Sequence, residues 1–544
     1  MSKTLLYNTK VFLENGSFAE AAGFDSTTGK IIFVGNNSGY NKKDYDECIN
    51  LNGKLVLPAF SEGHCHFYKG SVMKKELNLI YASTKDDFRN SINNFIPFLK
   101  NGKWIQGGYF SETNFKENFS ITKNFLDSIN DEIPMLINRN DLHSAIINSK
   151  AIELTGIKTK LNEFGTEEIT VDENGNLTGE VKERAFYFVL NKIPPLSIEE
   201  TSSAVFDEIK YLHSLGITSL TDITLPEDLF VYKHLVNHNK LNIKINSCLP
   251  FEEFEKFYTY KNDEVLKKGN IKFGTFKAFY DGSLGSESAL FYKNYKGTNY
   301  KGLRTDFVNS GKFEKLAYEI DKAGNQLMVH AIGDKAVHEL LDIVKNIETV
   351  NGKRDRRFRM EHCQHIRPDD FDKFRELGVI ASVQPAHLYY DAKSAYEKVE
   401  DIETTHNYKN LIDIGVNVCF GTDFPVAAEN PIETIYYAVT REAIGFENGF
   451  FPENKIDLAT AINSYTINNS FARFEENVNG SIAVNKDADI IVLDTDLFED
   501  SSLSLHGSSS PSLSFRRIAE STEVKLKNTK IEFTFLNGTK VYEK

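Results

Sequence analysis

Two histidines separated by a single residue, His64 and His66, stand in the segment LPAFSEGHCHFYKG (57–70). The apolar run KLVLPAF that leads into them is typical of the end of a strand. Alternate side chains of a strand face the same way, so both imidazoles point to one side and Cys65 points away. Two neutral imidazoles presented together suit Zn²⁺ or a similar cation. A lone strand histidine is more often a hydrogen-bonded core residue, so the metal interpretation depends on further ligands elsewhere.

Further candidates follow other strand-like runs of the chain. They are Lys277 in GTFKAFYDGSLGS, His330 in MVHAIGD, His362 in RMEHCQH and Asp423 in CFGTDFP. If these runs are strands of one barrel, their carboxyl ends meet at a single rim, where functional side chains converge. An ordinary lysine ammonium cannot bind a cation, so Lys277 has a second interpretation as a salt-bridged residue that faces the pocket.

The centre of the chain alternates short apolar strands with helical patterns. QLMVHAIGD, for example, leads to KAVHELLDIVKNIE, where apolar residues recur at helical spacing and Asp334 is placed as the N-cap. Repeated β-then-α units over roughly 400 residues predict an α/β protein with a (β/α)₈ TIM barrel. The stretch 68–170 is too long for one connection and predicts an insertion over the barrel mouth.

The two ends of the chain read as antiparallel strands and turns, and we expect them to build one small β-sandwich together. The predicted domains are 1–60 for the first part of the sandwich, 61–475 for the barrel with its insertion, and 476–544 for the second part. The serine-rich segment SSLSLHGSSSPSLS (501–514) is predicted to be a loop.

Composition excludes several classes of function. The chain has 544 residues, 41% hydrophobic and 12% aromatic, which is ample for a folded interior. A net charge of −14 disfavours binding to nucleic acid or to an anionic membrane. No stretch of 18 apolar residues predicts a membrane span, and the five cysteines are scattered without a CxxC pair. These features predict a soluble cytoplasmic protein from a reducing compartment.

The order HxH, lysine, histidine, histidine, aspartate resembles that of the amidohydrolase superfamily. The surrounding segments resemble its YtcJ-like branch, which contains N-substituted formamide deformylase. The resemblance covers nearly the whole chain and includes DLHSAIINSKAIELTGI, LGITSLTD, KAFYDGSLGSESA, HAIGDKAV, EHCQHI, GTDFPVAAENP and GSIAVNKDADIIVLD. One departure is Glu62, because the family usually has Asp two residues before the first histidine. We expect this change to alter hydrogen bonding behind the metal ligands.

The resemblance implies one or two divalent ions, with zinc favoured, and it implies their ligands. His64, His66 and Asp423 would hold the first ion. Lys277, carboxylated on its ε-nitrogen, would bridge to a second ion on His330 and His362. Without carboxylation, we expect a single ion whose ligands are His64, His66, His330 and Asp423, with His362 near the substrate.

The implied mechanism assigns two catalytic residues. Asp423 is the candidate general base that takes a proton from the attacking water and passes it to the leaving nitrogen. His143, in NRNDLHSAIIN, matches the family's DGH and is the candidate for binding the substrate carbonyl or oxyanion. A loop histidine bonded to backbone is an equally good interpretation of His143.

Three other residues are weaker candidates. Glu361 is expected to alternate out of the barrel, and it could pair with Arg359 or a lysine as easily as serve the site. His365 and His387 could line the barrel mouth, but partly exposed loop histidines are the favoured interpretation.

The predicted function is hydrolysis of an amide or formamide, a non-peptide C–N bond, in a small-molecule substrate. A deaminase or a cyclic-amide or ester hydrolase would use the same metal platform, and a metal-bearing regulatory protein without catalysis is a third interpretation. The resemblance also suggests a homodimer.

Overall fold

The computed structural model describes residues 2–99, 103–141, 143–498 and 522–544. The chain divides into two compact units, Met1–Tyr68 with Phe206–Lys544 and, separately, Lys69–Val205. The serine-rich segment 501–514, predicted to be a loop, lies outside the described residues.

A parallel sheet forms the centre of the first unit, and each strand pairs with the next along the chain. Its strands, numbered first to eighth below, are Phe60–Cys65, Ile217–Ile223, Lys244–Pro250, Ile271–Phe279, Gln326–Ala331, Arg359–His362, Ile380–Val383 and Val418–Phe420. The backbone just after the eighth strand pairs with the end of the first, because Asp423 N donates to His64 O at 2.7 Å and His66 N donates to Phe424 O at 2.8 Å. The α/β fold class with a (β/α)₈ barrel, predicted from the sequence, is confirmed.

Two glycines allow the first and eighth strands to come close together. A Cβ at Gly63 would lie 2.3 Å from the Phe420 carbonyl oxygen, and one at Gly421 would lie 2.5 Å from His64 N. The Asn469 side chain also joins the two strands, since its Nδ2 donates to Ser61 O at 2.7 Å and to Phe420 O at 2.9 Å. Gly63 and Gly421 therefore allow the barrel to close, at positions one residue before His64 and two residues before Asp423.

Helices follow most of the barrel strands. The α-helices of this part of the chain are Asp228–Asn237, Phe257–Lys261, Asp306–Asn309, Lys312–Lys322, Asp334–Asn351, Phe371–Glu376, Pro385–Lys398, Tyr408–Asp413, Pro431–Thr440, Leu458–Ser464 and Ile467–Ala472. Two more, Phe67–Met73 and Ile198–Ser214, contain the chain positions at which the division into units falls. Within the described ranges, no helix is long and apolar enough to cross a membrane.

The helix that begins at Asp334 shows how the apolar pattern is used. The predicted apolar face is buried, including Leu340, Leu341 and Val344. The predicted N-cap is wrong by one residue: Gly333 is the N-cap and Asp334 is the first helical residue. The Asp334 side chain instead accepts a hydrogen bond from Tyr292 N at 2.9 Å, so it ties a distant loop to the helix start.

Strands from both ends of the chain share one further sheet of the first unit. They are Lys3–Phe12, Phe18–Asp25, Lys30–Gly35, Glu47–Asn50, Leu55–Pro58, Ile490–Leu493, Ile531–Leu536 and Thr539–Glu543. Leu55–Pro58 pairs antiparallel with Ile490–Leu493, which joins the two ends of the chain. The sheet also curls, since Ile31 N donates to Lys486 O at 2.9 Å, and it encloses a small apolar core. The predicted β unit built from both chain ends is therefore present, while the predicted domain boundaries stay predictions.

The second unit contains its own sheet. Its strands are Leu77–Asn78, Ile105–Phe110, Met135–Arg139, Ser144–Ile147, Ile169–Val171 and Leu177–Lys182, and its helices are Lys85–Phe95, Lys123–Asp127, Ser149–Thr155 and Glu183–Leu190. Leu136 and Ile137 alternate between two separate apolar clusters, as neighbouring strand residues do when both faces are covered.

Candidate metal centre

Two histidines and one aspartate meet where the first strand ends and the eighth strand has just ended. His64 Nε2 lies 3.3 Å from Asp423 Oδ1, and His66 Nε2 lies 3.5 Å from the same oxygen. One ligand atom from each of the three residues lies within 4.8 Å of the others. The structure thus brings together the three residues that the sequence assigns to the first ion.

Asp423 Oδ1 is buried, and no hydrogen bond reaches it from the described residues. Burial alone would raise the pKa of Asp423, but the imidazoles of His64, His66 and His362 outweigh burial and hold this pKa well below its usual range. The residue also has a positive φ of 59°, a conformation that non-glycine residues seldom adopt. A buried, ionised oxygen without a hydrogen-bond donor fits a metal ligand.

Lys277, on the fourth strand, is another buried polar group of the site without a hydrogen-bond partner among the described residues. Its Nζ accepts or donates no hydrogen bond among the described residues and lies 4.7 Å from the centroid of the Phe279 ring. Burial lowers the pKa of Lys277 to about 8, against weaker opposing effects of Glu361 and Asp423. The predicted alternative, a salt-bridged lysine, is not what the geometry shows.

His330 and His362 lie side by side on the fifth and sixth strands, with ring centroids 4.4 Å apart. His362 is also close to His64, at 5.0 Å between centroids, and its Nδ1 lies 2.8 Å from Gln384 Oε1. Burial lowers the pKa of His330 to about 3 and holds that of His362 well below its usual range. Both rings are therefore neutral at pH 7, which is the form that binds metals.

The hydrogen bonding of His330 differs from that of His362. His330 Nε2 lies 3.1 Å from Gly282 O and 3.5 Å from Asp281 Oδ1. Asp281 accepts backbone hydrogen bonds from Leu290, Ile332 and Gly333, and so organises the loop around this ring. One nitrogen of His330 is thus directed at backbone.

His387 is a functional candidate that the sequence interpretation ranked low. It was expected to be a partly exposed loop histidine, but it is buried in the first turn of Pro385–Lys398. Its ligand atom lies within 4.8 Å of those of His362 and Asp423. The helix that follows the seventh strand turns this side chain inward. His365 is likewise fully buried, because Thr405 Oγ1 lies 3.0 Å from its Nδ1 and Phe291 covers the ring.

Glu361 was expected to point out of the barrel, and the structure corrects this. Its Oε2 lies 2.5 Å from His64 Nδ1, and Arg359 Nε donates to its Oε1 at 2.9 Å. The first and sixth strands are not neighbours, so the contact with His64 crosses the barrel interior. Burial opposes ionisation of Glu361, but Arg359, His64 and Lys277 outweigh it and lower its pKa. The predicted pairing of Glu361 with Arg359 is present in the structure. In the sequence, the only sign of a role for Glu361 at the site was its negative charge beside His362.

Glu62 joins the first strand to the loop that carries Asp423. Its carboxylate accepts hydrogen bonds from His64 N at 2.9 Å, Thr422 N at 2.8 Å and Tyr465 Oη at 2.6 Å. The longer side chain at this family aspartate position is therefore fully hydrogen-bonded, and it fixes backbone rather than facing the metal ligands. Cys65, as expected, does not face them, and its thiol is directed at Thr221 O.

His143 belongs to the second unit, in the turn before Ser144–Ile147. Its side chain is exposed, with Nδ1 3.3 Å from Tyr187 Oη and 3.9 Å from Glu183 Oε2. Its role at the substrate stays a prediction.

The donor set fits a borderline divalent cation. It combines several imidazoles, an ionised carboxylate and a buried amine, and two of its buried polar atoms have no hydrogen-bond partner among the described residues.

Comparison with known proteins agrees with this arrangement. The candidate ligands lie at the carboxyl rim of the barrel strands, where (β/α)₈ enzymes carry their active sites. Residues 47–504 match the model of the amidohydrolase family, so the chain belongs to that family.

Three relatives align over most of their length. The protein LONG AFTER FAR-RED 3 of Arabidopsis thaliana is 30% identical, over 91% of this chain and 88% of its own. YtcJ of Bacillus subtilis, which carries an amidohydrolase name, is 26% identical over 86% and 89%. N-substituted formamide deformylase of Arthrobacter pascens is 22% identical over 83% and 85%. The resemblance to the YtcJ-like branch is therefore confirmed.

The fold has a solved counterpart in a metal-dependent hydrolase of unknown role from Pyrococcus horikoshii. The two share a TM-score of 0.73 and 22% identity, over 91% of this chain and 98% of the other.

Proposed function

We propose that this chain is a metal-dependent hydrolase that cleaves a non-peptide C–N bond in a small amide or formamide. The observation that carries the proposal is the buried Asp423 Oδ1, which has no hydrogen-bond partner among the described residues and lies 3.3 and 3.5 Å from two imidazole nitrogens. The relative named as an N-substituted formamide deformylase supports the choice of bond.

The residues that would hold metal are those assigned from the sequence. His64, His66 and Asp423 would hold one ion, and their nitrogen-rich donor set favours zinc. Carboxylated Lys277, His330 and His362 would hold a second. When bound, a divalent cation lowers the pKa of water and polarises a carbonyl.

Lys277 is suited to carboxylation because its amine is buried and unpaired. In that reaction the neutral amine attacks carbon dioxide, an N–C bond forms as one C=O π bond gives its electron pair to oxygen, and the nitrogen loses one proton to water. With a pKa of about 8, roughly a tenth of the side chain is neutral at pH 7, far more than for an exposed lysine.

The protein's own groups move the protons. Asp423 accepts the proton of the attacking water and delivers it to the leaving nitrogen, because its carboxylate is ionised and faces the cluster. Glu361 holds His64 Nδ1, so that His64 Nε2 faces Asp423. His143 is the proposed contact for the substrate carbonyl.

A panel of N-substituted formamides and other small amides tests the proposal. We expect release of formate and amine by the wild type, and a fall in kcat of about 10²–10⁴ in Asp423→Asn, which cannot act as a base. Asp413→Asn, at an exposed helix position, is the matched control. Ammonia without formate would favour a deaminase instead, and a metal-free protein without turnover would refute the proposal.

Metal content tests the role of Lys277 in the same preparations. With bicarbonate supplied, we expect about two ions per chain in the wild type, as in two-metal hydrolases, and one or fewer in Lys277→Ala. Lys272→Ala, on the same strand, is the control. A ¹³C carbamate signal after growth with labelled bicarbonate would support carboxylation, and its absence together with unchanged metal content would contradict it.

A further inference from the structure

The segment after the seventh strand places two side chains beside the candidate ligands. Gln384 precedes Pro385–Lys398, and its Oε1 lies 2.8 Å from His362 Nδ1. His387 follows one turn later, with its backbone N–H donating to Gln384 O at 3.0 Å. One short turn therefore orients His362 and presents a further imidazole.

His387 shares a compact ligand group with His362 and Asp423. One ligand atom from each lies within 4.8 Å of the others, and all three residues are buried. The His362 and His387 rings are nearly parallel, at 16°, with centroids 6.2 Å apart. His330, which the sequence assigns to the second ion, is not part of this group within the described residues.

In each of the two imidazoles of the group, one ring nitrogen lies at hydrogen-bonding distance from an oxygen. His362 Nδ1 meets the Gln384 amide oxygen, and His387 Nε2 lies 3.2 Å from the Thr422 carbonyl oxygen. A ring that donates one N–H to such an oxygen keeps a lone pair on its other nitrogen, which is the usual arrangement behind metal-ligating histidines. The third member supplies the buried Asp423 Oδ1, which no hydrogen bond from the described chain satisfies.

We propose that His387 is a ligand of the second metal ion, together with His362 and Asp423. Asp423 then belongs to both ligand groups, with His64 and His66 on one side and His362 and His387 on the other. Hydrolases with two divalent ions close together are well known, and Asp423 would contribute to holding both. This inference rests on the proposed function for the first ion, and it adds a residue that the HxH, Lys, His, His, Asp pattern does not contain.

Metal titration of the full chain tests the inference. Chelator-stripped protein is titrated with Zn²⁺ and with Co²⁺, and bound metal is counted by elemental mass spectrometry after gel filtration. The variants are His387→Ala, His387→Cys, which supplies a thiolate ligand, and His330→Ala. His365→Gln is the matched control, because His365 is a buried histidine outside the ligand group.

We expect two ions in the wild type and in His365→Gln. In His387→Ala the second ion should bind at least tenfold more weakly while the first is unchanged, and His387→Cys should regain it. Two results would overturn the inference: unchanged affinity for both ions in His387→Ala, whether or not His330→Ala loses the second ion, or equal loss of the second ion in the Cys and Ala variants. A single ion with amide turnover would likewise overturn it but leave the proposed function intact, whereas no ion and no turnover would refute both.

Discussion

The imidazole of His64 is held between two carboxylates. Glu361 lies 2.5 Å from Nδ1, and Asp423 lies 3.3 Å from Nε2. Arg359 holds Glu361 in turn, and also donates to Gly63 O at 2.7 Å and to Ser382 Oγ at 3.0 Å. This buried chain of contacts fixes which nitrogen of His64 faces the candidate metal site. Loss of such a partner behind a ligand typically lowers metal affinity about 10- to 100-fold.

Replacing Glu361 with Gln should therefore weaken metal binding. We expect the affinity for the first ion to fall about 10- to 100-fold, because His64 loses the charged acceptor that orients its ring. Competition with a chromophoric chelator measures this affinity. Glu339→Gln, which disturbs the half-buried Arg304 ion pair elsewhere, should leave it unchanged. An affinity equal to that of the wild type in Glu361→Gln would show that the contact does not orient His64.

At the scale of elements, the site depends on how closely the first and eighth strands approach. The Phe420 carbonyl oxygen occupies the space that a Gly63 side chain would need, and Glu62 spans the same junction to reach Thr422. His64, His66 and Asp423 come from these two edges, so their distances are set by the closure. Knowing which strand carries each residue would not be enough to give these distances.

Gly63→Ala should therefore disturb both stability and the site. We expect the free energy of unfolding to fall by roughly 1–3 kcal/mol, since a backbone oxygen 2.3 Å from the new Cβ cannot move without shifting a strand. Thermal unfolding of the metal-free protein measures this loss. Gly285→Ala, where no atom lies within 4 Å of the new Cβ and φ is ordinary, should stay within about 0.5 kcal/mol of the wild type. Equal midpoints for the two variants would contradict a role of Gly63 in closure.

At the scale of the whole molecule, buried histidines outside the ligand groups make stability depend on pH. His213 is 1% exposed, and burial lowers its pKa to about 4. Burial also lowers the pKa of His365 to about 3. The unfolded chain binds protons at these residues near pH 6.5, while the folded chain does not. The contribution of these two histidines to the free energy of unfolding is therefore complete above pH 6.5, and it is lost as the pH falls towards their folded pKa values.

Removing one such histidine should flatten this dependence. Between pH 6.5 and 5, His213 should account for up to about 2 kcal/mol of lost stability, so His213→Leu should lose correspondingly less than the wild type. Urea unfolding at several pH values, in the presence of chelator, measures the difference. His238→Gln, at an exposed position, should follow the wild type. Parallel pH profiles for wild type and His213→Leu would contradict the assignment.

The sequence by itself determined the fold class, the family and the candidate ligands. Strand and helix periodicity is local, and the HxH pair, Lys277, His330, His362 and Asp423 each stand at the end of an apolar run, so chain order was enough to find them. Only the tertiary structure decided which side chains meet. Glu361 contacts His64, and the His387 ring lies beside that of His362. Both contacts join residues that are far apart in the chain and meet only when the barrel closes. A local sequence pattern does not specify such contacts.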